Sequence, residues 1–171
     1  MTTLILTVAG ADRPGLVAAV ADVVDAHGGN WENSSLAELA GTFAGVIEVS
    51  VPTERTGELE TALRGIQGQG LLTLSVLTGT PGPSEEEEQL LVMQVLGNDR
   101  PGIVREVSAV LNAHALSIEE LTTETREAAM AGGRLFEASV IAKVPPTVDL
   151  DALRADLERL ASEIQVDITL G

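Results

Sequence analysis

Two short stretches of this chain combine an acid, a base and a glycine where a small charged ligand could be held. Gly10-Ala11-Asp12-Arg13-Pro14-Gly15-Leu16-Val17 returns 87 residues later as Gly97-Asn98-Asp99-Arg100-Pro101-Gly102-Ile103-Val104. Each copy follows a short apolar run and precedes apolar residues at helical spacing. A helix that starts here leaves its first backbone N–H groups without intrahelical partners, and such a terminus accepts a carboxylate. Asp12 and Asp99 add an anion that can receive an ammonium group, so an amino-acid zwitterion finds a complement for both charges. Pro14 and Pro101 suit a first helical turn, and Gly15 and Gly102 remove a side chain that would block approach. The competing structural reading makes Asp12 and Asp99 helix caps and the Pro-Gly pair a turn.

Other chemistry finds less support. His27 and His114 occupy equivalent places at the ends of two helical patterns, where the helix dipole favours an imidazolium, so a structural role is the simpler one. With no cysteine in the chain and one histidine per copy, a zinc site lacks ligands. No Gly-x-Ser-x-Gly elbow, Walker loop or dinucleotide glycine fingerprint occurs. Arg13 and Arg100 could cradle a phosphate, which makes an acyl-phosphate hydrolase the enzyme-class alternative. The strand and single acid before each arginine are a poor cradle for one, so the expectation is a non-enzyme without a cofactor.

The elements around the repeated loop also repeat. Leu4 to Val8 alternates as a strand, and Leu16, Val17, Val20, Val23 and Val24 stripe a helix over Pro14 to His27 that ends at Gly28-Gly29. Asn30 to Glu38 and Thr42 to Val51 read as strands joined at Ala40-Gly41. Leu59, Leu63 and Ile66 carry a helix between Thr53 and Gly65, and Leu71 to Thr78 is a fourth strand. The second copy gives Leu90–Leu96, a helix over Pro101–His114, Ser117–Thr125, Leu135–Val144, a helix striped by Leu150, Leu153, Leu157 and Leu160, and Val166–Leu170. The offset grows from 87 to 93 between the second and third strands, which places a longer hairpin loop at 127–133. The Pro/Gly/Glu-rich stretch 80–88 reads as a linker between domains at 1–79 and 89–171.

Composition limits the partners. Ten basic residues face 26 acidic ones, for a formal charge of −16, so no cluster of cations is available for nucleic-acid phosphates or an anionic membrane. Aromatic residues are 2% of the chain, too few for base stacking, and the cores must be aliphatic. The start lacks a basic segment before its apolar run, and no run approaches the roughly 18 residues of a membrane span. A soluble, cytoplasmic protein is expected.

Each β-α-β-β-α-β copy is expected to fold as an α+β, ferredoxin-like unit: an antiparallel four-stranded sheet with both helices on one face. Open strand edges then invite pairing of the copies or a homodimer. The Asp-Arg-Pro-Gly-[Leu/Ile]-Val loop after strand one, the pairs Asn30-Trp31 and Ser117-Ile118 opening strand two, and this topology together resemble the ACT domain, a small-molecule-binding regulatory module. Two copies with a long second hairpin and nothing appended are similar to the glycine cleavage system transcriptional repressor family. The resemblance implies control of transcription in response to an amino acid, with glycine or serine the first candidates, through a DNA-binding regulator as protein partner. It also implies ligand residues at interfaces between copies: Ala11, Asp12, Gly15, Leu16 and Asn30 from the first, Asn98, Asp99, Gly102, Ile103 and Ser117 from the second. A tandem pair that binds a protein and no ligand is the alternative.

Overall fold

Period-two alternation in the first strand of each copy decides which side of its sheet becomes the core. Leu4, Leu6 and Val8 are buried while Thr7 and Ala9 face outward, and Met93 and Val95 repeat the pattern in the second copy. The computed structural model describes residues 1–80, 89–129 and 132–171, and its contacts divide the chain into two units that part between residues 82 and 83. The first unit runs β1 (Thr2–Ala11), α1 (Leu16–Ala26), β2 (Asn30–Leu39), β3 (Thr42–Val51), α2 (Thr56–Gly68) and β4 (Thr73–Thr78). The second runs β5 (Gln89–Asn98), α3 (Ile103–Ala113), β6 (Ser117–Glu127), β7 (Arg134–Val144), α4 (Leu150–Ile164) and β8 (Val166–Leu170). Sheet orders are β2-β3-β1-β4 and β6-β7-β5-β8, with all neighbours antiparallel, which is the ferredoxin-like arrangement.

Aliphatic stripes hold each pair of helices to one face of its sheet. Leu16, Val20 and Val24 of α1 and Leu59, Leu63 and Ile66 of α2 close over Leu4, Leu6, Ile47 and Val49. Ile103, Val107 and Leu111 of α3 and Leu153, Leu157 and Leu160 of α4 do the same over Met93, Val95 and Val140. Full burial of one such side chain stabilises by about 1.5–3 kcal/mol.

Several boundaries differ from those read in the sequence. The strands β1 and β5 are longer because their ladders with β3 and β7 continue to Ala11 and Asn98. A 3-10 turn over Thr53–Arg55 precedes α2, which then extends to Gly68. The helices α1 and α3 begin at Leu16 and Ile103, not at the prolines. Gly15 and Gly102 take φ of 91° and 98°, a left-handed backbone no helix contains, so Pro14 and Pro101 stand outside, ahead of the cap. The longer second hairpin is present between β6 and β7, closed by Ala128 N–H donating to Gly133 O at 3.0 Å. Residues 130–131 of that loop and residues 81–88 of the expected linker lie outside the described residues. No described helix is long and apolar enough to cross a membrane.

The same turn ends α1 and α3 with different residues. Gly29 N–H donates to Val24 O and Leu116 N–H to Leu111 O, and the residue before each is left-handed: Gly28 at φ 69°, Ala115 at φ 60°. An alanine there is strained where glycine is not. Ala115→Gly is therefore expected to stabilise the second unit by about 0.5–1 kcal/mol, read by urea unfolding, with no change in the protection of β1–β4 amides. Leu63→Ala, at a site 0% exposed, is expected to cost about 2–5 kcal/mol in the same assay.

Candidate functional site

Both repeated loops are pinned at their start to the neighbouring hairpin. Asp12 N–H donates to Gly41 O at 2.9 Å, and Asp99 N–H to Arg134 O at 2.8 Å. Gly10 and Gly97, one residue before the strand ends, are needed for close passage: a Cβ on Gly10 would stand 2.9 Å from Leu71 O, and one on Gly97 2.6 Å from a Val166 methyl. No side chain hydrogen bonds to cap either helix, so Asp12 and Asp99 are not caps. The first intrahelical bonds run from Ala19 N–H to Gly15 O and from Glu106 N–H to Gly102 O. The preceding N–H groups, Leu16 to Ala18 and Ile103 to Arg105, have no acceptor within their helices. Leu16 and Ile103 are themselves core residues, 4% and 2% exposed, and offer a ligand only backbone.

Gly15 is required for its backbone conformation rather than for open space. A Cβ there meets nothing within 4 Å, and the strain of any substitution comes from φ. Gly15→Ala is expected to cost about 1–2 kcal/mol in urea unfolding, and Gly15→Val at least as much.

The two loops carry different charges. In the first unit Arg13 Nη2 donates to Gly70 O at 2.8 Å, tying the loop to the turn after α2, and no acid stands in the first turn of α1. In the second, Arg100 Nη2 donates to Glu106 Oε2 at 2.8 Å, Arg105 lies 3.6 Å from the same carboxylate, and Arg134 Nε is 4.0 Å from Asp99. Glu106 and Arg105 reach to 3.6 and 3.7 Å from where a Gly102 Cβ would stand. The N-terminus of α1 is thus open, and that of α3 is flanked by an ion cluster of its own. Both repeated arginines already have acceptors in the chain, which weakens the phosphate-cradle alternative.

Within each unit, Asn30 and Ser117 lie apart from the repeated loop. Strand register aligns Ala11 with Thr42 and Leu39 at one end of the first sheet, and Thr3 with Ser50 and Asn30 at the other. Eight strand residues, roughly 27 Å, separate the ends. Ser117, beside Lys143 and Leu90, lies equally far from Asn98. No single unit can therefore gather all its candidate residues at one point. The sequence pattern places Asn30 at the start of a strand, and only the parallel direction of β2 and β1 shows which end that is. Hydrogen bonds from Ser50 and then Asn30 hold the Glu32 carboxyl below the usual carboxylate value.

The histidines are the C-cap residues of α1 and α3. His27 Nδ1 is 2.7 Å from Val23 O, and His114 Nε2 donates to Asp156 Oδ2 of α4 at 2.7 Å. That hydrogen bond, helped by the charge of Arg159, holds the Asp156 carboxyl below its ordinary value. A depressed acid contributes stability above its unfolded pKa of about 3.9 and loses it as pH falls through the lowered folded value. Asp156→Asn is expected to flatten that acid limb in a pH series of urea midpoints. Among the described residues, no group of three His, Asp or Glu could hold a metal.

Sequence reasoning missed a small apolar cleft of about 20 Å³ between α3 and β6, lined by Val104, Val107, Leu111, Ile118, Leu121 and Phe136. Its signal was present in the repeat: Trp31 and Leu36, which pack against the first core, have Ile118 and Thr123 as their counterparts.

With this geometry in hand, the similarities to known proteins are specific. Residues 2–77 and 89–170 each match the ACT domain. The chain is 26% identical over 163 residues to the glycine cleavage system transcriptional repressor of Escherichia coli (strain K12), an alignment covering 94% of this chain and 85% of that one. A crystal structure of an unknown protein from Galdieria sulphuraria superposes with a TM-score of 0.83 at 30% identity, covering 99% of this chain and 96% of the other. A crystal structure assigned to a candidate glycine cleavage system transcriptional repressor shares the fold, with a TM-score of 0.69 at 19% identity, covering 99% and 96%. The chain belongs to the ACT-domain family and carries two copies of the domain.

Proposed function

We propose that this chain is a regulatory protein that responds to a small amino acid, glycine or serine first, and controls transcription through a DNA-binding protein partner. The observation that carries the proposal is the open N-terminus of α1, where the N–H groups of Leu16 to Ala18 have no side-chain cap and the loop leading into them carries Asp12. There a carboxylate meets backbone donors and the positive end of the dipole, and the ammonium meets Asp12. In the second unit Glu106 already complements that dipole, so the first unit is the ligand-bearing copy. The Escherichia coli relative is named for the glycine cleavage system, which supports glycine metabolism as the process controlled. A charge of −16 favours action through a protein over contact with DNA.

Binding selective for the folded state stabilises it by about 2.7 kcal/mol at a hundred times Kd. For a domain of this size that is a shift on the order of 10 °C. A thermal-shift series over the twenty amino acids is expected to show such a shift with glycine or serine. Asp12→Ala is expected to remove it and Asp99→Ala to leave it. No shift from any of them at millimolar concentration favours the ligand-free interaction module instead. A mobility shift with bare DNA at physiological salt overturns indirect action.

A further inference from the structure

The outer edge of the second sheet is long, exposed and acidic. The strand β6 is the edge of its sheet, and all eleven of its residues are exposed, leaving a row of backbone donors and acceptors without a strand partner. Its inward side chains Ile118 and Leu121, 38% and 42% exposed, form the rim of the cleft against α3 together with Val104 at 41%. Inside, the polar side chain of Ser108 donates its hydroxyl to Val104 O at 2.7 Å, so the cleft offers a partner only apolar contact. On the opposite face of β6, Glu120 and Glu124 project at alternate positions beside Ile141 and Glu137. The strand carries four glutamates and one arginine. Glu119 pairs with Lys143, Arg126 pairs with Glu137, and Glu120 and Glu127 have no ion pair among the described residues.

These features select one kind of occupant. A strand added to β6 would turn alternate side chains toward the cleft and toward the glutamates. Pairing β6 with a second β6 would bring together two strands that each carry four glutamates against one arginine, an unfavourable balance of charge. We infer that β6 is a docking strand for an extended, basic segment of a protein partner, which joins the sheet, lays aliphatic side chains over the exposed Ile118, Leu121 and Val104 at the mouth of the α3–β6 cleft and sets lysines or arginines over Glu120 and Glu124. The inference rests on the partner-mediated reading above and assigns the partner's surface to the second unit. The first unit lacks the cleft in this form because Trp31 and Leu36 pack against its core.

The test uses the full chain and a nine-residue peptide of alternating lysine and valine, with a second peptide of the same sequence N-methylated at alternate residues to remove backbone donors without changing charge. Binding is followed by anisotropy, and the bound edge by amide hydrogen exchange. The expected result is new protection confined to β6, with binding weakened at least tenfold by N-methylation. Ile118→Trp, which introduces the residue found in the first unit, and Glu120→Lys with Glu124→Lys are each expected to weaken it similarly, with circular dichroism unchanged. Equal binding of the N-methylated peptide, protection elsewhere, or β6 amides already protected by self-association in sedimentation-verified dimers overturns the inference. The amino-acid thermal shift is measured on the same samples. A shift without peptide binding overturns the docking strand alone, and loss of both overturns the regulatory reading as well.

Discussion

The ten-pair antiparallel ladders between β1 and β3 and between β5 and β7 hold each unit, and most other features follow from their register. The ladder sets Leu4, Leu6 and Val8 on the same face as Ile47, Val49 and Val51, so the helices have one apolar floor to close on. It also carries each repeated loop to the end of the sheet where the hairpin turns, which is why Asp12 and Asp99 find backbone acceptors there. The same register sends the start of β2 and of β6 to the far end.

On this common frame the two copies have diverged chiefly in charge and in one filled space. Around the first loop the charges are few, and Arg13 faces a backbone carbonyl. Around the second, three arginines and two acids neutralise one another at distances of 2.8 to 4.0 Å. The other difference is steric, with an indole packed against one core and an isoleucine at the rim of a cleft in the other. Neither change disturbs a ladder, and the two copies can differ in what they bind while keeping one fold.

Much of this was legible in the sequence because it depends on local periodicity. Leu59, Leu63 and Ile66 at helical spacing, and β-branched runs closed by Val51-Pro52 and Val144-Pro145, identify elements without reference to anything distant. The prolines misled because proline suits either a first helical turn or the turn before it, and the left-handed backbone of Gly15 is a tertiary choice. The position of Asn30 was hidden for a different reason: its place along the chain says nothing about which end of a sheet it occupies. The Glu106 cluster and the His114–Asp156 pair join residues 6 and 42 apart in sequence, and the partner in each case is one acid among many. The cleft was visible only as a missing tryptophan, a difference between copies rather than a pattern within one.

The backbone bond from each loop to its hairpin has an evolutionary consequence. Gly41 in the first unit becomes Arg134 in the second, where the connection is longer, yet the carbonyl at that position still accepts from the loop. Lengthening such a connection adds only about 1 kcal/mol of closure entropy. A duplicated chain can therefore vary the hairpin almost freely and, through one conserved backbone contact, deliver a new side chain to the rim of the loop. The hairpin tip is an adjustable arm by which one copy can acquire or lose a charge beside its helix terminus while the core that supports it stays fixed.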